Sequence, residues 1–520
     1  MSAIIGVYCL SGENVFQYLI KMIRETLHRG PNFVGIDLDH NVHRFQGFEK
    51  LSGYDIEGCR GIGIASSGAG QPFKDEELDL SLVCDGEIYN KTRVEDLTNC
   101  QFSIDKESIL VLFKKFLSEK QDILYAMERT INFLDGVYSF ALFYKNFFLI
   151  ARDPIGVKPL YISEKDGTIA FASERKALWS VGMFNTYPLP PSSWAIIGES
   201  GIKVNYIKNL EEKYFKKLSR ENAEKKLLKL LIKSVEKRIK NRQIGMLFSG
   251  GLDSVLLTKI IKDLGYEPIL YCSGAENSKD VSGAIQAADK LELPLKINFM
   301  TLEKLKENLP NILYMIEETN PLKVSIALPL FFSTQLAKSD GLEFMLSGSG
   351  ADELFGGYAR YLQILKSGGY TALHKALFKD IKEMAKENLQ RDDAASMANS
   401  IELKFPYLDY ELVKYALSIP PQYKIAKTNS TNIRKFILRK IAEKIGLPKP
   451  LVNRSKIAMQ YGSYSYKLLR KLAKKNGFNK NLCKKYGYYS PVKLYIETIA
   501  RSKKVPGTNP ELEKLILKIK

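Results

Sequence analysis

Residues that bind transition metals or form disulfides are scarce in this chain. Its 520 residues include six cysteines and only four histidines, and no two cysteines form a CxxC pair. The sequence therefore indicates neither a zinc site nor a disulfide framework, and such cysteine usage is typical of the reducing cytosol. Apolar runs of the roughly 18 residues that a membrane helix needs are missing too, as is an N-terminal apolar segment of the secretory type. We expect a cytoplasmic protein that is neither membrane-spanning nor secreted.

Acidic residues are in deficit, and the deficit is uneven along the chain. The formal net charge is +19, and residues 464–520 alone hold 15 Lys and Arg against three Glu, a balance of 15 − 3 = +12. Aromatic residues are interspersed among these basic ones, so the segment could bind RNA. The alternative, which we favour, is a lysine-rich solvated surface of the kind common in proteins from hot environments.

The hydrophobic content of 45% supports ordinary buried cores, and the chain is long enough for several domains. Residues 1–207 are rich in short strands, which predicts a sheet-rich α+β domain. Residues 208–221 form a polar linker. From 222 to 463, amphipathic helices alternate with short apolar strands; this predicts an α/β domain with a doubly wound parallel sheet, whose ligands bind outside the carboxyl ends of the strands. Residues 464–520 form a basic C-terminal extension.

The stretch 244–255, IGMLFSGGLDSV, is a short apolar strand that breaks on two glycines and continues into an apolar helix. Gly250 and Gly251 allow a sharp turn with unobstructed N–H groups. Ser249 and Ser254 add hydroxyl donors beside the positive end of the helix dipole, so the loop suits a phosphate or pyrophosphate. The lysine of a Walker A loop is missing, and Asp253 stands in the loop instead. Because a carboxylate facing phosphate oxygens requires a divalent cation between them, Asp253 predicts Mg²⁺.

Several strings carry a resemblance to a known family. SGGLDS at 249–254 resembles the pyrophosphate loop of ATP pyrophosphatases, which adenylate a carboxylate or carbonyl oxygen. SGSGADELFGGY at 347–358 and MANSIELKFPYLD at 397–409 resemble the synthetase domain of glutamine-hydrolysing asparagine synthetases. The N-terminal region is similar to the glutaminase domain of the same family, an N-terminal-nucleophile fold, in the strings HRGPN (28–32), GEIYN (86–90), FLDG (133–136), ARDPIGVKPLY (151–161) and FASE (171–174).

The resemblance implies roles for residues of the synthetase domain, with AMP and pyrophosphate as products. Asp253 and Asp352 would hold Mg²⁺, and Lys456 would stabilise charge as the carboxylate attacks the α-phosphate. Glu402 is a candidate catalytic carboxylate; a buried ion pair with Lys404 or another cation is the alternative of equal weight. The implied ATP site consists of Leu247, Ser249, Gly250, Gly251, Asp253, Ser254, Ser273, Ser347 and Gly348.

The glutaminase-like domain departs from the family at its catalytic positions. The family's nucleophile is a cysteine whose own amine serves as base, and this chain has Ser2 there. At the position of the family's oxyanion-hole Asn, this chain has Asp85. Its carboxylate would repel a developing oxyanion, and losing one hydrogen-bond donor of an oxyanion hole costs roughly 3 kcal/mol. The arginine expected near residues 63–67 to bind the glutamine carboxylate is missing, and only Gly86 and Asp105 match. We expect a retained scaffold that has lost hydrolysis.

Two further departures lie in the synthetase domain. In the loop that matches residues 347–358, asparagine synthetases usually show Ser-Gly-Glu-Gly, where the Glu is implicated in ammonia attack on the acyl-adenylate, but this chain has Ser349. The family also carries an arginine in the segment that reads NPLKVSIA at 320–327 here, where only Lys323 could serve. Adenylation is therefore better supported than aspartate as the substrate.

The expected function is that of an ATP-dependent, Mg²⁺-requiring amide ligase that forms asparagine from aspartate through β-aspartyl-AMP, using ammonia and not glutamine. Its partners would be these small molecules. We expect no membrane contact and at most weak nucleic-acid binding through the basic extension, and a homodimer is an open option. Two alternatives also stay open: an adenylating ligase with another acceptor, as in β-lactam synthetases, and a non-catalytic relative that binds nucleotide.

Overall fold

A computed structural model describes residues 1–207, 210–214, 217–239, 243–427 and 432–518. The chain folds as two compact units, Met1–Asn209 and Leu210–Lys520. The boundary falls within the linker predicted at 208–221, although the end of that segment already belongs to a helix that begins at Arg220. Among the described helices, none is both long enough and apolar enough to cross a membrane.

The first unit is built mainly from strands. They are β1 (Ser2–Cys9), β2 (Phe33–Leu38), β3 (Asn41–Gln46), β4 (Arg60–Ser66), β5 (Phe73–Asp75), β6 (Leu80–Ile88), β7 (Gly136–Tyr144), β8 (Phe147–Arg152), β9 (Tyr161–Lys165), β10 (Thr168–Ala172), β11 (Tyr187–Pro188), β12 (Ser193–Gly198) and β13 (Gly201–Tyr206). The helices are α1 (Phe16–Thr26), α2 (Phe48–Ser52), α3 (Lys91–Thr98), α4 (Glu107–Lys120), α5 (Ile123–Phe133) and α6 (Arg175–Trp179).

These strands form two antiparallel sheets that pack face to face between layers of helices. The sheets have the orders β11-β9-β10-β1-β4-β2-β3 and β13-β12-β8-β7-β6-β5. Their inner faces share one apolar core, to which Ile4 and Phe171 contribute from one sheet and Phe143 and Ile150 from the other. Helices α1 and α6 cover the first sheet and α4 and α5 the second, each over a further apolar core. This arrangement is the N-terminal-nucleophile-type sandwich that the resemblance implied.

The second unit alternates strands with longer helices. Its strands are β14 (Gly245–Leu247), β15 (Ile269–Gly274), β16 (Leu295–Phe299), β17 (Phe344–Leu346), β18 (Glu402–Lys404), β19 (Ile425–Lys427) and β20 (Asn432–Arg434). Its helices are α7 (Arg220–Ile239), α8 (Leu252–Asp263), α9 (Lys279–Leu291), α10 (Leu302–Ile316), α11 (Pro321–Ser339), α12 (Ala351–Phe355), α13 (Arg360–Met384), α14 (Gln390–Met397), α15 (Tyr410–Ser418), α16 (Pro421–Lys424), α17 (Phe436–Lys444), α18 (Lys449–Val452), α19 (Met459–Gly462), α20 (Ser465–Lys475), α21 (Lys480–Lys485) and α22 (Pro491–Ser502).

The sheet of the second unit is parallel, with the order β16-β15-β14-β17-β18. The chain builds outward from β14 to β16 on one side and then returns to add β17 and β18 on the other. Strand order therefore reverses between β14 and β17, where an open parallel sheet leaves a crevice outside its carboxyl ends. The loops at 248–251 and 347–350 meet at this point, so the topology places both motifs at one site.

The C-terminal residues are part of the second unit's helical packing. Helix α20 buries Leu469 and Leu472 and packs against α10, α11 and α22. The division made from charge alone, at residue 464, therefore does not separate a free-standing tail. The lysines follow the exposed face of these helices because the opposite face supplies core residues.

Candidate active site

The loop after β14 turns where its glycine pair predicts a turn. Gly250 has a φ of +67°, and a Cβ atom there would lie 2.2 Å from the carbonyl oxygen of Gly283, so only glycine fits. The Ser254 hydroxyl donates to Gly251 O at 3.1 Å in the first turn of α8. From a distant part of the chain, the Arg454 guanidinium donates to Ser249 O at 2.7 Å. The loop is thus held from both sides at the start of the helix.

A cavity of about 340 Å³ lies at the carboxyl ends of β14, β15 and β17. It brings together most of the residues predicted for the ATP and metal sites: Leu247, Ser249, Gly251, Asp253, Ser254, Ser273, Ser347, Gly348, Asp352 and Lys456. Gly250 supports the turn without lining the cavity. Ser349 also lines it, at the end of β17.

The two predicted metal ligands converge on one ammonium group that the sequence did not single out. Lys435 Nζ lies 2.5 Å from Asp253 Oδ2 and 2.6 Å from Asp352 Oδ1. Lys456 Nζ lies 2.7 Å from Asp352 Oδ2. Gly357 makes room for this cluster, since a Cβ there would meet Asp352 Oδ1 at 1.7 Å and Lys435 Cε at 2.3 Å. The result is a compact group of two carboxylates and two ammonium groups facing the pyrophosphate loop.

Neighbouring opposite charges hold Asp352 and Lys456 of this cluster in their ionised forms. Burial alone would raise the pKa of Asp352, but the ammonium groups of Lys435 and Lys456 hold that pKa well below its ordinary value. Desolvation opposes the charge of Lys456, yet the Asp352 and Asp253 carboxylates raise its pKa well above the ordinary value. Asp352 and Lys456 are therefore both ionised at neutral pH.

Further polar residues line the same cavity, and none of them was predicted as a site residue from the sequence. Glu353 Oε1 accepts hydrogen bonds from Tyr358 Oη at 2.6 Å and from Asn388 Nδ2 at 2.8 Å. Further along, the Arg391 guanidinium donates to Asp392 Oδ1 at 2.6 and 2.9 Å. Burial raises the pKa of Glu353, and the neighbouring Asp352 charge raises it further. Glu353 lies in α12, Tyr358 follows that helix, Asn388 precedes α14, and Arg391 and Asp392 lie in α14.

Glu402 and Lys323 do not reach this cavity. Glu402 is buried in β18 and is not among the described residues that line the cavity, and both roles considered for it stay predictions. Its neighbour Lys404 is also buried, with Nζ 4.5 Å from the Phe344 ring centroid. Lys323, at the start of α11, pairs with Glu387 at 3.2 Å and likewise lies outside the lining. The suggestion that Lys323 replaces a substrate arginine is therefore not supported.

Comparison with known proteins adds an independent line of evidence. The Asparagine synthase family model matches residues 226–370 and 365–494, and the Glutamine amidotransferase domain model matches residues 59–180. A Methanocaldococcus jannaschii protein named "Putative asparagine synthetase (glutamine-hydrolyzing) 1" is 34% identical, over 92% of this chain and 97% of its own length. The chain belongs to the asparagine synthetase family.

Other known proteins are similar over a smaller share of their length. Asparagine synthetase (glutamine-hydrolyzing) 2 of Arabidopsis thaliana is 28% identical, over 84% of this chain and 74% of its own. A solved glutamine phosphoribosylpyrophosphate amidotransferase from B. subtilis covers 57% of this chain and 65% of its own, at 20% identity and a TM-score of 0.36. As a member of the asparagine synthetase family, the protein is an ATP-dependent carbon–nitrogen ligase. The match to residue 494 also extends past residue 463, where the α/β domain was predicted to end.

The asparagine synthetase family's nucleophile position is closed in this protein. Ser2 is fully buried at the start of β1, opposite Ser66 of β4, and the two hydroxyl oxygens lie 3.2 Å apart. Arg29 Nε donates to the Ser2 carbonyl oxygen at 3.0 Å. A buried arginine, Arg29, thus lies beside Ser2. It lies outside the segment 63–67, where the resemblance predicts an arginine for the glutamine carboxylate.

Arg29 belongs to a buried ion cluster that we call the Ser2 cluster: His28, Arg29, Asp85, Lys158, Glu174 and Lys176. Arg29 lies 3.1 Å from a carboxylate oxygen of Asp85 and 3.1 Å from one of Glu174. Lys158 adds a contact to Asp85 at 3.6 Å, and Lys176 one to Glu174 at 2.5 Å. Asp85, whose carboxylate was expected to repel a developing oxyanion, is therefore paired with two cations, Arg29 and Lys158.

The two remaining glutamine-site positions have structural explanations in this unit. Gly86 has a φ of +146°, and a Cβ there would lie 2.1 Å from Val137 O. The Asp105 carboxylate accepts a hydrogen bond from the Ile88 N–H at 2.6 Å. Both residues therefore shape the chain around β6 whether or not a ligand binds.

Proposed function

We propose that this protein forms asparagine from aspartate and ammonia through β-aspartyl-AMP, with release of AMP and pyrophosphate. The observation that carries the proposal is the convergence of Asp253, Asp352, Lys435 and Lys456 beside a loop suited to pyrophosphate. Two cations at this point can hold the β- and γ-phosphates while the bond to the α-phosphate breaks.

The donor set fits Mg²⁺ bound together with ATP. No group of three or more His, Cys, Asp or Glu side chains within the described ranges could hold a metal by itself. Mg²⁺ at a nucleotide site, however, commonly takes one or two protein carboxylates and completes its shell with phosphate oxygens and water. Asp253 and Asp352 already converge on a single cation, the Lys435 ammonium, and would hold the metal ion, which supplies charge neutralisation to the departing pyrophosphate.

The protein's own groups account for the remaining requirements of the two steps. An oxygen of the aspartate side-chain carboxylate attacks the α-phosphorus, and pyrophosphate leaves; Lys456, held charged by Asp352, stabilises the negative charge at that centre. Ammonia then attacks the acyl carbon, and the C–O bond to AMP breaks with AMP as the leaving group. We assign Glu353, whose pKa burial raises, to accept the proton that the attacking nitrogen loses.

Ammonia is the proposed nitrogen source because the nucleophile position is enclosed. The Ser2 hydroxyl is buried against Ser66, and the arginine nearest to it contacts Asp85 and Glu174. A substrate carboxylate would have to displace these buried partners before it could bind Arg29.

The test is a product assay. Natural protein incubated with ATP, MgCl₂, L-aspartate and ammonium chloride should give AMP, pyrophosphate and asparagine in equal amounts. ADP in place of AMP would overturn the proposal, and AMP formation with a carboxylate other than aspartate would change the assigned substrate.

A further inference from the structure

Arg391 and Asp392 are two opposite charges, side by side in sequence and buried, that line the cavity away from the pyrophosphate loop. Their exposed fractions are 8% and 3%. Besides Asp392, Arg391 makes longer contacts at 3.5 Å to Glu387 O and to Asn388 Oδ1. Replacing such an ion pair by apolar residues is often neutral or stabilising, so the fold alone does not require it.

The pair is connected to both sides of the cavity. Asp392 Oδ2 accepts from the Ser349 hydroxyl at 3.4 Å, and Ser349 Oγ lies 3.1 Å from Ser347 Oγ at the end of β17. On the other side Asn388 bridges the pair to Glu353, the residue that follows Asp352. Arg391 and Asp392 are therefore positioned by the same loops that position the phosphate-facing residues.

We propose that Arg391 and Asp392 recognise the α-carboxylate and the α-ammonium group of an amino-acid substrate whose side-chain carboxylate is activated. This inference rests on the proposed function and deepens it. A guanidinium binds a carboxylate with two parallel hydrogen bonds, and a carboxylate accepts from an ammonium group. In the absence of substrate the two residues neutralise each other; when a zwitterion binds, each exchanges its partner for the opposite charge of the ligand.

The charge pattern predicts a specific preference among small carboxylates. L-Aspartate carries both groups, succinate lacks the ammonium group, and β-alanine lacks the α-carboxylate. The natural protein should support ATP–pyrophosphate exchange with L-aspartate at a KM about tenfold or more below those for succinate and β-alanine. Equal KM values for the three compounds would overturn the inference.

Two variants assign the charges separately. Asp392→Asn should raise the KM for L-aspartate about tenfold and leave that for succinate within about twofold. Arg391→Gln should do the same for L-aspartate and leave the KM for β-alanine unchanged. The matched control is Arg360→Gln, which removes an exposed arginine paired with Asp380 at 2.6 Å outside the cavity lining and should change none of these values. The assignment would be contradicted if a variant raised the KM for all three compounds equally, or raised none of them.

Failure of this inference and failure of the proposed function can be told apart. If no carboxylate supports exchange, the adenylation proposal fails, and calorimetric titration of L-aspartate into the natural protein with ATP and MgCl₂ then tests the pair directly. Binding that the two variants weaken supports it, and absent or unchanged binding overturns it. If a variant does not fold, as judged by its melting curve, Arg391→Lys or Asp392→Glu takes its place. The KM preference of the natural protein for L-aspartate tests the inference without any variant.

Discussion

The side chain of Lys435 contacts both proposed metal ligands, Asp253 and Asp352. Replacing it with methionine removes a cation within 2.7 Å of Asp253 and Asp352 and leaves two carboxylates close together beside the phosphate site. We expect Lys435→Met to lower the rate of AMP formation about 100-fold or more, because groups that stabilise developing charge in an active site commonly contribute that much.

The control is Lys440→Met in α17, the helix that follows Lys435; this half-buried lysine pairs with Glu443 at 2.8 Å and lies outside the cavity lining. Its rate of AMP formation should match that of the natural protein. Near-natural turnover of Lys435→Met, with an unchanged melting temperature, would show that Lys435 only fills the space that the metal takes.

The same residue shows what sequence reasoning can and cannot find in this site. Asp253, Asp352 and Lys456 were found because short motifs surround them, and the structure brings them to one cavity. Lys435 and Arg391 have no such motif, and each is one among 77 lysines and arginines. Their roles arise from tertiary contacts, such as the one between Lys435 and a carboxylate 182 residues away.

At the scale of elements, apolar strands and amphipathic helices were predictable while charged strands were not. The apolar run at 268–272 predicts a strand, and β15 runs Ile269–Gly274; the amphipathic pattern at 302–317 predicts a helix, and α10 runs Leu302–Ile316. Strand β18 was missed because two of its three residues, Glu402 and Lys404, are charged, and only its pairing with β17 makes it a strand. Periodicity reports which faces are buried and carries no information on such pairing.

Helix α16 ends in a buried lysine that makes the second unit's stability depend on pH. Lys424 is fully buried, its Nζ has no hydrogen-bond partner within the described part of the chain, and burial lowers its pKa to about 7. The unfolded chain has an ordinary lysine pKa of about 10.4, so between these values it binds more protons than the folded state. This residue therefore costs stability progressively as pH falls from about 10 to about 7.

Lys424→Met should remove that cost. We expect the variant to be more stable than the natural protein by up to about 4 kcal/mol at pH 7, with a difference that shrinks as pH rises towards 10. Melting temperatures measured from pH 7 to 10 check this. The control is Lys414→Met, at an exposed position in α15, whose difference in melting temperature from the natural protein should not change with pH. A less stable variant at pH 7 would mean that the Lys424 ammonium is charged and paired.

For the whole molecule, both predicted domain types are present, and the asparagine synthetase family accounts for both. The N-terminal sandwich was recognisable from strings around its turns, but the fate of its catalytic positions was not. The sequence led us to expect that Asp85 would repel a developing oxyanion, and it did not show that Asp85 pairs with Arg29, whose place beside Ser2 depends on the packing of the sheet. Composition could not have shown that pairing, because the partners lie 56 residues apart.

The closed nucleophile position leads to a prediction for the intact enzyme. We expect no glutamate from glutamine, either by the natural protein or by Ser2→Cys, because the thiol would still face Ser66 and lie beside the paired Arg29. Amide formation should proceed with ammonium salts in both. Glutamate release measured alongside AMP release checks this, and comparable amounts of the two from glutamine would establish Ser2 as a working nucleophile.

The Ser2 cluster also bears on the routes by which this domain can change during evolution. Exchanging Asp85 for a neutral residue would remove a buried counter-charge from both Lys158 and Arg29. Breaking a buried pair in this way costs about 3–5 kcal/mol, a large share of the roughly 5–15 kcal/mol that keeps a domain folded. Single substitutions towards a hydrolytic site therefore pass through poorly folded intermediates. Once the cluster had formed, selection for stability alone would preserve it, and a return to glutamine chemistry would require several coordinated substitutions.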